Sequence, residues 1–78
     1  MTPKLWEIVK EHREKGLKIS DSDAEMACLI CKRKMEIVKI QNPDEYMPLL
    51  FMEELKNIAI RNMITDVSKV LLNLAEVM

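Results

Sequence analysis

Hydrophobic and polar positions along the chain fall into three blocks of helical spacing, separated by two short breaks. In the first block Leu5, Ile8, Val9 and His12 share one face and Trp6 stands at its edge. Nearly every other position is Lys, Glu or Arg. Apolar residues recurring at three and four are the mark of an amphipathic helix. Thr2 can cap its start, and Pro3 occupies the first helical position, where a missing N–H costs nothing. Gly16 stands where a left-handed residue closes a helix. The pattern predicts a helix over about 3–15.

The second block follows Leu17-Lys18-Ile19. Ser22-Asp23-Ala24-Glu25 reads as a capping box. Acids at 21, 23 and 25 precede bases at 32, 33, 34 and 39, the order that complements a helix dipole. Ala24, Cys28, Cys31, Met35 and Val38 step by four and three into a heptad-like seam. Met26, Ile30, Ile37 and Ile40 widen the apolar arc. A helix over about 22–41, touching neighbours on two sides, is predicted.

Asn42-Pro43-Asp44-Glu45 is a third start signal, an Asn cap followed by proline and an acid. Pro48 disfavours helical geometry in the residue before it, so the last helix is predicted to begin at 43 or to re-initiate at 48. From there to 78 neither glycine nor proline intervenes. Leu55, Ala59, Met63, Val67, Val70, Leu74 and Val77 form one stripe. Ile60, Ile64, Val67, Leu71, Leu74 and Met78 form an overlapping one. A continuous helix from 48 to 78 would be roughly 46 Å long at ~1.5 Å per residue, too long for a domain whose radius of gyration is expected near 12 Å. Either it projects from its own domain or it breaks near 65, where Asp66 could cap a fourth helix; the continuous or slightly bent form is the one expected.

The expected fold is therefore all-α, a single domain over 1–78 built as a small bundle of three to four helices with a long C-terminal helix. Charge sharpens this picture. Residues 1–45 carry 18 charged side chains and residues 46–78 only seven, while 20 of those last 33 residues are apolar. Two short, highly charged helices can cover only part of so apolar a helix. The surplus predicts a homodimer with an isologous interface at Leu55, Ala59, Met63, Val67, Val70, Leu74 and Val77. Asn57 and Asn62 lie near this arc, where a polar residue can set register.

Candidate chemistry adds little. Cys28-Leu29-Ile30-Cys31 lacks the further Cys or His pair that a closed zinc site needs, His12 being the one histidine. A thioredoxin-like motif opens a helix after a strand; here the thiols lie inside a helix, among apolar neighbours, and read as small hydrophobes. His12 has Ile8 and Gly16 at its helical i±4 places and reads as a core-bordering residue. Glu53 and Glu54 are adjacent, point in different directions and read as a solvated face. No catalytic residue, cofactor or metal site is expected, and the chain is read as a non-enzyme.

A net charge of −1 gives no broad basic footprint for nucleic acid. Lys32-Arg33-Lys34 with Lys39, supplemented by Lys10, Arg13, Lys15 and Lys18, supports a secondary reading as a small dimeric DNA-binding transcriptional regulator. Against it, successive helical residues fan out by ~100°, and the linker 17–21 exceeds the usual helix-turn-helix turn. Seven methionines fit a core or a groove for a partner helix, and Trp6 is expected to dock the first helix onto the long one. The chain becomes charged at Glu7 before any apolar run develops, and the Tyr46–Met52 stretch is far short of the ~20 residues that span a bilayer. No export signal and no membrane span are expected, and a reducing cytoplasm suits two free thiols. The leading expectation is a non-enzymatic interaction or regulatory protein that binds another protein through an apolar helical surface.

Overall fold

A computed structural model describes the backbone of residues 1–77 and the side chains of residues 1–76. It contains three helices and no strand among the described residues: α1 Pro3–Glu14, α2 Asp21–Val38 and α3 Pro43–Val77. α3 runs 35 residues without a break, about 52 Å at 1.5 Å per residue. It sets the long dimension of a molecule measuring 56 × 27 × 16 Å.

α1 begins as its sequence dictates. The Leu5 N–H donates to Thr2 Oγ1, with Pro3 in the first turn. It ends in a Schellman closure: the Gly16 N–H donates to the Arg13 carbonyl and the Leu17 N–H to that of His12. Gly16 has φ +91°, a value that a side chain would make costly.

α2 starts two residues earlier than its caps suggest. Ser20, not Ser22, is the N-cap: the Asp23 N–H donates to Ser20 Oγ at 3.0 Å, and the Ser20 N–H donates back to Asp23 Oδ2 at 3.3 Å. The segment Ser20–Glu25 holds two overlapping capping boxes. Burial of Ile19 just before the cap and of Ala24 in the next turn selects the first, as a hydrophobic staple does. The helix also ends early, at Val38, because Lys39 turns left-handed at φ 57°, ψ 52°.

α2 and α3 form an antiparallel hairpin. Lys34 meets Glu54 and Asp23 meets Asn62, so positions descend along one helix as they rise along the other. α1 runs in the same sense as α3: Leu5 shares a hollow with Met47 and Pro48, while Leu17 and Lys18 lie beside Ala59 and Asp66. The core comprises Leu5, Ile8, Val9, Ile19, Ala24, Ala27, Cys28, Cys31, Phe51, Leu55, Ile58 and Ala59, with Trp6, Leu17, Met47, Leu50 and Met52 packed against it. All of the α3 contribution comes from the first half of that helix.

α3 is interrupted neither at Pro48 nor near 65, so the continuous form expected there is the one found. Pro48 sits inside the helix, and its missing N–H leaves only the carbonyl of exposed Asp44 without a helical donor. Packing of Met47, Leu50 and Phe51 on either side holds the geometry. At 65–66, Thr65 Oγ1 donates back to the Arg61 carbonyl at 3.0 Å. Asp66 faces Lys18 Nζ at 3.6 Å instead of capping a new helix.

The second apolar line of α2 is covered only in part: Ile30 and Ile40 are half-buried, while Met26 and Ile37 are exposed. Val38, expected on the seam, is exposed as well, and α2 buries mainly the line from Ala24 to Met35.

Candidate functional site

Phe51, Leu55 and Ile58 define the face of α3 that meets α1 and α2. Ile60 follows Phe51 by nine residues, which at about 100° per residue places it half a turn round the helix. From Ile60 to Leu74 the large apolar residues, Leu72 excepted, lie towards that opposite side. Ile60, Met63, Ile64, Val67, Val70, Leu71, Leu72 and Leu74 are each between 53% and 65% exposed. Seven of these eight fall in one stripe; Leu72 lies on the other side of the helix. Beyond Asp66 the described part of α3 carries no buried residue.

The residues expected from sequence to form an interface therefore divide. Leu55 and Ala59 belong to the chain's own core and are unavailable to a second molecule. Met63, Val67, Val70 and Leu74 lie together on the exposed stripe. The side chain of Val77 lies outside the described residues. Ile60, Ile64 and Leu71, which the sequence placed on the overlapping stripe, complete the apolar face. Sequence reasoning merged the two faces because both keep three–four spacing; the half-turn between Phe51 and Ile60 separates them.

Asn62 does not lie in the exposed seam. Its Nδ2 donates to the Lys18 carbonyl at 3.2 Å and to Asp23 Oδ2 at 3.1 Å, tying α3 to the start of α2. Burial pushes the Asp23 carboxyl up. Hydrogen bonds from the Asn62 side chain and from the Ser20 backbone and side chain outweigh it and hold the group below its ordinary value. Asn57 is exposed.

Glu54 is buried, contrary to its reading as part of a solvated face, and the Lys34 ammonium donates to its Oε1. The signal was present in the spacing: Glu54 lies three residues after Phe51 and four before Ile58, inside the core phase. The Glu54 carboxylate raises the Lys34 ammonium above its ordinary value, by hydrogen bond first and by charge second. Among the other bases, Arg13 donates to the Ile19 carbonyl and to Asp21 Oδ1. Lys34 and Arg13 thus have partners within the chain, while Lys32, Arg33 and Lys39 are exposed.

Cys28 and Cys31 are buried and unlinked. Burial, followed by the nearby Glu54 carboxylate, pushes the Cys31 thiol up to about 11. A nucleophilic thiol needs the opposite shift. His12 is buried, and its Nδ1 bonds to the Ile8 carbonyl at 2.8 Å, one turn back on its own helix. Among the described residues, no group of three or more His, Cys, Asp or Glu side chains could hold a metal ion. No helix there is long and apolar enough to cross a membrane. A hollow of about 660 Å³ near the start of α3 is lined by Met1, Leu5, Cys28, Met35, Met47 and Pro48, with Lys4, Lys32 and Asp44 supplying its charges. The stripe on α3 is the more distinctive surface, because it is long, continuous and free of charge.

No family model matches the chain, and no curated protein or solved structure is significantly similar to it.

Proposed function

We propose that the chain is a non-enzymatic helical interaction protein whose working surface is the apolar stripe on residues 60–74 of α3, and that a second copy of the chain covers it. The observation that carries this reading is the run of seven large apolar side chains on a helical segment that leaves its own core behind. Helices of this length are marginal in water and owe most of their stability to packing. Ile64, Val67 and Val70 are β-branched, which weakens helix formation further. A straight helix through these residues is therefore best supported by an outside surface. An isologous pairing lets one stripe serve as its own complement.

Sedimentation velocity on the intact chain tests the reading. At tens of micromolar the wild type is expected to sediment as a dimer and the double variant Val67→Glu/Val70→Glu as a monomer. The near-UV signal of Trp6, which packs against the core, should be retained in both, because both substituted positions are exposed and neither belongs to that core, Val67 only bordering it beside Leu17 and Ala59. A wild type that stays monomeric over this range overturns the proposal.

A further inference from the structure

We infer that the second copy lies antiparallel, with Val67 of one chain facing Val70 of the other and the two-fold axis passing between positions 68 and 69. This rests on the self-association proposed above and specifies its geometry. Ile60, Val67 and Leu74 occupy one heptad position of the stripe and Met63 and Val70 the other, the a and d positions of a coiled coil. Ile64 and Leu71 fall at e, and Asp66 and Asn73 at g. One flank of the stripe is thus apolar and the other polar.

That asymmetry selects the direction. In a parallel pair the g residue of one helix flanks the e residue of the other, which would set the Asp66 carboxylate beside Leu71 of the second copy. In an antiparallel pair e faces e and g faces g. Ile64 then meets Leu71 of the second copy, and Asp66 meets Asn73, whose amide can donate to the carboxylate. Asp66 also keeps Lys18 beside it on that flank.

The register follows from what lies outside the stripe. Continued back along α3, the same two heptad positions are occupied by Lys56 and Glu53, both exposed. Sliding the second copy one heptad towards the body would press Leu74 against Lys56 and desolvate a charge. Sliding it the other way removes apolar layers. Pairing Met63 with Leu74 and Val67 with Val70 keeps every layer apolar. The buried faces of α1 and α2 pack on the opposite side of α3, while Gly16, Leu17 and Lys18 border the stripe beside Met63 and Val67; the end of the second helix then lies along that turn and the two bodies sit at far ends of the pair.

The area suffices for a stable dimer. Seven half-exposed apolar side chains offer on the order of 100 Å² each, roughly 700 Å² per copy and about 1,400 Å² for the pair, within the ~1,200–2,000 Å² of specific complexes.

Spin labels on Lys56→Cys, with distances read by double electron–electron resonance, test the inference in the full chain. The native thiols are buried, and the exposed cysteine takes the label. Twenty-five residues separate the two labels along the antiparallel pair, so the expected distance is about 40 Å at ~1.5 Å per residue and ~10 Å between axes. A parallel pair would give less than about 20 Å, and an antiparallel pair slid one heptad towards the body about 30 Å; either distance overturns the inference while leaving self-association standing. The label on Asn57→Cys, also exposed, serves if the first variant does not fold, with about 35 Å expected by the same arithmetic. A monomer by sedimentation overturns both the register and the association beneath it.

Discussion

The ammonium of Lys34 on α2 donates to the carboxylate of Glu54 on α3, and the two partners differ sharply in their access to water: the Lys34 side chain is 55% exposed and that of Glu54 only 10%. The asymmetry makes the two halves of the pair unequal. Removing Lys34 leaves a carboxylate in the core with no partner, and a buried group without its partner bears the full desolvation penalty. Removing Glu54 returns Lys34 to solvent. Lys34→Ala is therefore expected to lower the urea midpoint more than Glu54→Met, which also keeps the core filled. The reverse order would show that the ion pair contributes little beside the volume of the glutamate side chain.

Lys39 holds a left-handed backbone, at φ 57°, in the turn between α2 and α3. A side chain there costs about 1–2 kcal/mol relative to the right-handed region, a cost that glycine escapes. The Lys39 side chain is exposed, and the bond from its backbone N–H to the Met35 carbonyl is one that glycine keeps. Lys39→Gly is expected to stabilise the fold by about 1 kcal/mol after allowing for the extra freedom of glycine in the unfolded chain. Equilibrium denaturation measures it, and a destabilised variant would mean that the Lys39 side chain makes a contact worth more than the strain.

The sequence made the helices legible because their signals are local. Thr2, Pro3 and Gly16 bracket α1 as periodicity and capping require, and the 3–14 helix follows. The errors fall where two signals compete. Ser20 and Ser22 each begin a box with an acid three residues on, and the choice between them depends on Ile19 finding a core. Pro48 argued for a break that packing of Met47 and Phe51 overrides. The interface stripe mixed Leu55 and Ala59, which are buried in the body, with Met63 and Val67, which are more than half exposed at its border. A period near 3.6 cannot tell two faces of one helix apart until something packs against one of them. Long-range polar links, Lys34 to Glu54 and Asn62 to Asp23, join residues 20 and 39 positions apart, and nothing in local spacing announces such partners.

Asn62 anchors α3 to the capping box of α2, so its effect is expected to depend on pH. Burial pushes the Asp23 carboxyl up, but the Asn62 and Ser20 hydrogen bonds leave it lowered from 3.8 in the folded state. A lowered carboxylate stabilises the fold above the unfolded value and loses that contribution as pH falls through the folded one. Asn62→Ala removes the strongest of the lowering bonds. The variant is expected to be less stable by ~1 kcal/mol at pH 7, with the gap narrowing between about pH 4 and pH 2 as Asp23 is protonated in both proteins. Urea midpoints at pH 7 and at pH 3 decide it. An unchanged gap would place the whole effect on the bond to the Lys18 carbonyl.

The thiols offer a test of the core itself. Burial pushes Cys31 from 9.0 up to about 11, with the Glu54 carboxylate adding to the rise. The folded state thus favours the protonated thiol. The stability this gives is fully present below pH 9 and is lost as pH rises from there towards 11. Two outcomes are expected. First, the native protein should react with a thiol-directed disulfide reagent far more slowly than the urea-unfolded chain at pH 8, since the thiolate is the reactive form and both thiols are buried. Second, stability should fall between pH 9 and pH 11 in the wild type and fall less steeply in Cys31→Ala, which has nothing to titrate at that position. Rapid labelling of both cysteines in the native state at pH 8 would contradict the packing of α2 against α3, because burial in that contact is what shields the thiols from the reagent.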